Sequence, residues 1–435
     1  MEPIDNTGNI IPPSREEQGI QIPHQNTEST VNSESTVNTE PETPRSWWRR
    51  IMELFTNRNI DQTEQVNEVR NEGNTFTLFI DRYISRRHCP YCFGYVSKRV
   101  FRERSRPDQL TRVSGVRLGL PNLKIYECPH PHCRKPLPGD FFENRGASIA
   151  VVGGRDAGKS SFITIFCELL INRNSILSEL GIFGSILNEE GKAQFNKNRW
   201  MLIDKNSPLP TTLDRQETIV VRLQSRHSSN CIYISLIDNP GEQFEEVNTL
   251  TERHANLQYA DAIVFLMNPL DITGITQLIE EAHPGTTPAL NQRDAVPNFD
   301  IIENLYKTYI ATGRISPNAP IKQPTAFCIS RADLIEDVSS LYIPSDFEVE
   351  FKEVEDILEE MELVADDLYE LLEETDKRLL LMIDRSFGKY RLFPVSPLGK
   401  TPIGQSGGAI LLGGVDPKGV LQPFIWILKE MNFIK

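Results

Sequence analysis

The sequence predicts an α/β protein: a mostly parallel sheet with one antiparallel hairpin and helices on both faces, preceded by a small cysteine-bearing module and a disordered N-terminal tail. Three observations predict it. A glycine-rich loop, GGRDAGKS (Gly153–Ser160), lies between an apolar β-branched run and a helix-period run. Five further β-rich runs follow it, two of them separated only by turn residues. Two close cysteine pairs stand ahead of the loop.

The composition suits soluble globular sequence diluted by polar segments. The chain has 435 residues, 24% charged and 39% hydrophobic, with 29 Pro and 26 Gly. A net charge of -14 argues against nucleic-acid binding by the chain as a whole. No apolar run reaches the roughly 18–20 residues that span a bilayer. The start, MEPIDNTGNIIPPSREEQ, has neither a basic end nor an apolar core, so no secretory signal is expected there and a cytoplasmic location is. Seven cysteines in such a chain read as metal ligands or core residues rather than a disulfide scaffold.

Taken in chain order, residues 1–75 are expected to form a tail. Its first 44 residues are polar, with STVN at 29–32 and again at 35–38, and bury too little apolar surface to offset their ordering entropy. SWWRRIMELF (46–55) is expected to be a short helix, with Trp47, Trp48, Ile51 and Phe55 roughly on one side and Ser46 at its cap. It suits packing on the protein itself, docking on a partner, or weak contact with a membrane surface.

Residues 76–145 hold the cysteine pairs, Cys89-x2-Cys92 and Cys128-x4-Cys133. Two tight turns can bring four thiolates together as a tetrahedral, closed, structural Zn2+ site. His88, His130 and His132 are alternative ligands; Cys167, Cys231 and Cys328 read as core residues. From Arg82 to Arg145 there are 14 Lys/Arg against 5 Asp/Glu, but no aromatic stacking platform, so protein contact is preferred over nucleic acid.

Residues 146–435 are expected to form one domain around the glycine-rich loop. ASIAVVG reads as a buried strand, and SFITIFCELLI as a helix after the loop. Gly153, Gly154, Arg155, Asp156, Ala157, Gly158, Lys159, Ser160 and Ser161 form the phosphate cradle. Gly153 and Gly158 let the backbone turn its N–H groups toward phosphate oxygens, Lys159 reaches the β- and γ-phosphates, and Ser160 offers a hydroxyl to Mg2+. ETIVVRL (217–223) and CIYISLID (231–238) form the hairpin. The second ends in Asp238-x-x-Gly241, a carboxylate for Mg2+ and an amide for the γ-phosphate. DAIVFLMNP, PTAFCISRAD and RLFPVSPLGK are further strands, and GVLQPFIWILKEM a closing amphipathic helix. Asp346–Asp376 carries 15 Asp/Glu against one Lys; within an insert at 346–385 it reads as an amphipathic acidic helix, broken near Val364–Ala365. SILSELGIF reads as a helix within a long connection ending in an extended loop, and residues 270–299 as another loop.

This set resembles the TRAFAC class of P-loop GTPases, over about residues 146–435. The resemblance implies a P-loop GTPase fold, GTP/GDP and Mg2+. Ser330-Arg331-Ala332-Asp333 stands where that class has Asn/Thr-Lys-x-Asp. Asp333 would accept the guanine N1–H and N2–H2, Arg331 would lie along the base, and the Ser396–Pro397 loop would set backbone N–H groups near guanine O6. With the cysteine pairs and the closing helix, the chain is similar to bacterial double-GTPase proteins with a zinc ribbon. That family implies protein effectors or other components of conflict systems as partners. Thr211 or, slightly favoured, Thr212 would complete the Mg2+ shell. Glu242 holds the place of a water-orienting Gln, with Gln243 next, so slow turnover needing a partner or a nucleotide-dependent dimer is expected. Arg155 and Arg215 are candidates for charge stabilisation. A GTP-binding scaffold with negligible hydrolysis, an ATPase of another P-loop branch, and a zinc-dependent nucleic-acid binder are the competing readings.

Overall fold

The chain divides into two compact units, Met1–Asn71 and Glu72–Lys435. The computed structural model describes parts of the second unit: residues 86–97, 126–138, 140–171, 175–210, 218–226, 231–238, 257, 260–282, 284, 296–336, 338–339, 341–346, 354–405 and 408–434. The Trp47/Trp48 segment, most of the stretch between the cysteine pairs, Thr211, Thr212, Arg215, Gly241, Glu242 and Gln243 lie outside these residues.

The cysteine-bearing part is two small antiparallel hairpins, β1 (Arg86–His88) with β2 (Tyr95–Ser97) and β3 (Tyr126–Glu127) with β4 (Pro136–Leu137). After it comes β5 (Arg145–Gly153), the middle of a seven-stranded sheet. The other strands are β6 (Ile182–Ile186), β7 (Ile219–Ser225), β8 (Cys231–Asp238), β9 (Ala262–Met267), β10 (Thr325–Ile329) and β11 (Tyr390–Pro394). Their order across the sheet is β11-β10-β9-β5-β8-β7-β6. The five strands from β11 to β8 run parallel, whereas β7 is antiparallel to β8 and β6 to β7. This mixed order is that of a P-loop GTPase fold, and β6 extends its hairpin edge by one strand.

Strand periodicity explains the layers. Along β5, Ile149 and Val151 enter one core, while Ala150 and Val152 enter the other. The first core packs against α1 (Lys159–Ile171), α3 (Glu189–Arg199) and the closing helix α9 (Gln422–Glu430). Here Phe166 stacks on Phe424 with ring centroids 3.6 Å apart. The second core packs against α4 (Thr273–Ala282), α5 (Asn298–Ala311) and α8 (Lys377–Ser386). The acidic helix α7 (Val354–Thr375) serves both: Ile357 and Met361 enter the first core, Val364, Leu368 and Leu372 the second. It thereby covers β11, the strand at one edge of the sheet.

Four expectations change. The acidic helix is continuous through Val364–Ala365, because Val364 is a buried anchor; the chain breaks only at Asp376, whose side chain caps α8 by accepting the Leu379 N–H at 3.0 Å. SILSELGIF is not one helix. A single turn, α2 (Ile176–Glu179), stops at Gly181 (φ +69°), and Ile182 begins β6. Beyond β6 the connection holds α3 and a π-helical turn, Trp200–Asp204, where an extended loop is expected from the sequence. Residues 270–299 likewise contain α4 and the start of α5. Ile275 and Ile279, four apart, are the buried face of α4, and Gly274 admits Thr375, whose Cα lies 2.6 Å from where a Cβ would sit.

Candidate functional site

The C-terminal ends of β5, β8, β9, β10 and β11 lie along one edge of the sheet, as their parallel register requires. The loop after β5 turns there. Gly153 has φ +152°, and a Cβ on it would lie 2.3 Å from the carbonyl of Leu266 on β9, so only glycine leaves the strand at this point. Gly158 (φ +81°) and Asp156 (φ +57°) complete the turn, and α1 begins at Lys159. Lys159 is buried, and its ammonium donates to the carbonyls of Gly153 (3.1 Å) and Gly154 (2.6 Å). Ser160 follows at the helix start, and its hydroxyl donates to Asp238 Oδ2 at 2.6 Å.

Asp238 is the last residue of β8 and is buried. Burial raises its carboxyl above the usual range, while nearby Lys159 and the Ser160 hydrogen bond pull the other way. A buried carboxylate next to a serine hydroxyl at a helix N-terminus has oxygen donors and charge suited to a hard divalent cation such as Mg2+. The structure brings Lys159, Ser160 and Asp238 together.

A second cluster follows β10. Ser330, standing where the resemblance has Asn or Thr, donates its hydroxyl to the Met267 carbonyl (3.0 Å) and is 1% exposed. Arg331 has φ +49°, and its guanidinium donates to the carbonyl of Asp156 at 3.1 Å, linking this loop to the one after β5. Asp333, the first residue of the short helix α6 (Asp333–Glu336), receives a hydrogen bond from the Ser396 hydroxyl on Oδ1 and one from Thr401 Oγ1 on Oδ2 at 3.3 Å. The Ser396–Pro397 expectation needs correction. The Ser396 N–H already donates to Lys418 O at 2.9 Å, and Pro397 has no N–H. Ser396 acts through its hydroxyl, which also accepts the Gly399 N–H at 3.0 Å. The next backbone donors in this loop are those of Leu398 and Lys400. Sequence reasoning missed Thr401, because a threonine several residues past a strand carries no local signal.

The four cysteines form a third cluster. Their Sγ atoms all lie within 4.8 Å of one another, with Cys89–Cys133 at 3.8 Å and Cys92–Cys128 at 3.7 Å. Thiolates about 2.3 Å from a tetrahedral Zn2+ stand about 3.8 Å apart, so the set fits that ion and is far too wide for disulfides. Both turns are built alike. The residue after the second cysteine of each pair, Phe93 (φ +59°) and Arg134 (φ +51°), adopts the left-handed conformation. The amides of Cys89 and Cys128 donate to Gly94 and Lys135 carbonyls, each at 2.9 Å. His88 Nδ1 pairs with the Phe93 carbonyl at 2.7 Å, and the His130 ring packs where a Cβ of residue 94 would lie, so the ligand set gathered here is the four cysteines. Cys92 is held far below the usual thiol range by hydrogen bonds from Cys128 and Cys89. Its bond to Cys128, its bond to Cys92 and its burial push Cys89 up. A cation would take the place of those shared protons.

This cluster packs on the sheet. Cys231 and Tyr233, at the start of β8, share a core with Cys89, Cys128, Phe141 and Phe142. Asp140 binds them from the module side: it accepts from the Tyr233 hydroxyl and pairs with Arg222 at 3.3 Å. Cys231 is thus a core residue shared with the cysteine module, whereas Cys167 and Cys328 lie in the sheet's core.

Residues 147–283 match the family model Double-GTPase 2. That stretch is similar to the double-GTPase family. No curated protein matches the chain. Similar solved structures include the S. cerevisiae Ski7 GTPase-like domain bound to GTP, at 14% identity and a TM-score of 0.31, covering 67% of this chain and 51% of that one. The Arl6 (BBS3) small GTPase of Trypanosoma brucei has 10% identity and a TM-score of 0.27, covering 67% and 99%. A bacterial selenocysteine-specific elongation factor, EF-Sec, has 13% identity and a TM-score of 0.27, covering 67% and 29%. The chain therefore spans about half the length of the Ski7 domain and under a third of EF-Sec. Among the described residues no helix is long and apolar enough to cross a membrane.

Proposed function

We propose that the chain binds GTP and GDP with Mg2+ along this sheet edge, hydrolyses GTP slowly, and acts as a nucleotide-dependent switch. The observation that carries the reading is the Arg331–Asp156 hydrogen bond, which joins the base-facing loop to the phosphate-facing loop. In this reading Lys159 exchanges its two loop carbonyls for phosphate oxygens, and the amides from Gly154 to Ser161 turn toward them. Ser160, Asp238 and Thr212 would hold Mg2+, which neutralises charge on the phosphates when bound. Gly241 would report the γ-phosphate, and Glu242 would accept a proton of the attacking water.

Asp333, oriented by Ser396 and Thr401, accepts the N1–H and N2–H2 of guanine; adenine has an acceptor at N1 and is disfavoured. Thr212, Gly241 and Glu242 enter from the sequence alone. The cysteine cluster would hold a structural Zn2+. Protein effectors, of the conflict-system kind that the resemblance implies, would recognise the GTP state in the cytoplasm.

Multiple-turnover phosphate release tests the activity. GTP is expected to be turned over with Mg2+, and Lys159→Ala to abolish the signal. Glu242 favours a second reading, a GTP-binding scaffold with negligible hydrolysis, because a carboxylate there adds negative charge beside the γ-phosphate. Tight GTP binding with phosphate release no faster than in Lys159→Ala would favour that reading over ours.

A further inference from the structure

The hairpin side of the sheet ends in β6, and among the described residues no strand lies beyond it. The β6–β7 ladder shows which backbone groups face outward, because they alternate along an antiparallel strand. The Arg226 N–H donates to Gly181 O at 2.7 Å, and the Leu187 N–H donates to Val220 O at 2.8 Å. Both bonds continue the register that pairs Ile182 with Ser225 and Ile186 with Val221. Gly181, Phe183, Ser185 and Leu187 therefore turn their backbone groups toward β7. Ile182, Gly184 and Ile186 alternate with them and turn theirs away from the sheet. None of these three makes another backbone hydrogen bond.

This edge is also unguarded. Soluble proteins protect an edge strand with a charge, a proline or a covering element. The stretch LGIFGSILN (180–188) has neither charge nor proline. Ser185 is exposed, and Phe183, Gly184 and Ile186 are half-buried. The sheet's other edge is treated differently, since α7 covers β11. The sequence of β6 also suits one occupant. Its core-facing residues, Ile182, Gly184 and Ile186, read the same in both directions. A twofold axis at Gly184 sets the two glycines opposite each other and Ile182 of each copy opposite Ile186 of the other. Every outward N–H then meets an outward carbonyl. A charged partner segment would find no opposite charge on this strand.

We propose that β6 is the interface of a twofold dimer, in which two copies of the chain pair this strand antiparallel and continue one sheet into the other. The contact lies on the last strand of the hairpin side, away from Lys159 and Asp333, so it needs no nucleotide. Five residues of strand span only about 17 Å, less than a standard interface offers, so the dimer is weak, with a Kd on the order of 10 μM. Gly184 is fixed by its surroundings, because a Cβ there would lie 2.2 Å from Leu170 Cγ. Its neighbours are the positions to vary.

Sedimentation velocity of the full chain from about 1 to about 200 μM tests it, with residue-resolved amide exchange at both ends of that range. A concentration-dependent dimer is expected, with or without nucleotide. Exchange at Ile182, Gly184 and Ile186 should slow by about fivefold at the higher concentration, as monomer becomes the minor species. Phe183 and Ser185, bonded to β7 in either state, should not change. Ile186→Pro removes an outward N–H without breaking a bond to β7 and should leave a monomer. Ser185→Lys, at an exposed position, sets a like charge on each copy beside the axis and gives the same reading if the proline variant does not fold. The dimer should persist in Lys159→Ala. A monomer at about 200 μM overturns the proposal, whatever else pairs with the edge. So does a dimer that survives both β6 variants, or one lost in Lys159→Ala, since either moves the contact elsewhere. Full protection of the three amides already at about 1 μM would mean that the chain covers its own edge, and overturns it as well.

Discussion

In the proposed reading, single side chains carry the selectivity. Asp333 is held by two hydroxyls, one on each oxygen, and a carboxylate so oriented presents both acceptors to one edge of a base. Thr401→Ala removes one of them. It is expected to weaken GTP binding by roughly 2- to 10-fold, the value of one hydrogen bond, and to leave ATP binding and melting temperature unchanged; competition titration reads the two affinities and a thermal melt the third. Asp238→Asn tests the opposite trade. Its carboxyl is buried and raised by that burial, so the amide is expected to match or exceed wild-type thermal stability while Mg2+-dependent nucleotide binding is lost.

Buried Asp346 gives a pH signature. It accepts the Val420 and Leu421 N–H groups at 2.8 and 3.1 Å, ahead of α9, and burial pushes its carboxyl up to about 7. The folded chain then keeps a proton that the unfolded chain releases near its ordinary value of 3.8. Stability from this group is present below that value and is lost as pH rises toward about 7. The stability advantage of wild type over Asp346→Asn is expected to shrink between pH 5 and pH 7.5 in denaturant melts; an advantage that grows would contradict the assignment.

At the scale of elements, Gly153 shows how one residue sets two strands. With a Cβ 2.3 Å from Leu266 O, Gly153→Ala must push β5 from β9. It is expected to destabilise by more than about 1–3 kcal/mol in thermal melts, strain that no flexible neighbour relieves. The loop, its strand and its helix were legible because each signal is local: a buried apolar run, glycines at fixed spacing, then helical period. The breaks were less so. Gly181 ends α2 only because β6 has a place beside β7 in the sheet, and α4 shows only Ile275 and Ile279 as an inward pair amid Thr, Gly and Glu. Val364, where the sequence suggests a break, anchors α7 in the second core. The engagement of the Ser396 amide is hidden for a related reason: its partner, Lys418, is distant in sequence and meets it only once the loop is folded.

Across the whole molecule, β8 connects the cysteine module to the candidate nucleotide edge. Cys231 and Tyr233 pack against the module, and Asp238, at the other end, contacts Ser160. The paired spacing made the four-cysteine grouping legible, but its seat on β8 was not, since Asp140 meets Arg222 and Tyr233 across long sequence separations. Metal analysis of purified protein is expected to give about one Zn2+ per chain. Chelation, or Cys92→Ser, is expected to lower the melting temperature; a metal-free chain with unchanged melting would remove the metal from the account.

The claim on which the functional reading depends is that one crevice grips a guanine nucleotide at both ends. Calorimetric titration of the full chain with GTP, XTP and ATP in Mg2+, in wild type and Asp333→Asn, tests it most directly. The account predicts that wild type binds GTP far more tightly than XTP or ATP. The variant's amide N–H meets the extra carbonyl of xanthine, so preference should move from GTP to XTP. Equal affinity of wild type for GTP and ATP, or an unchanged preference in the variant, would contradict it.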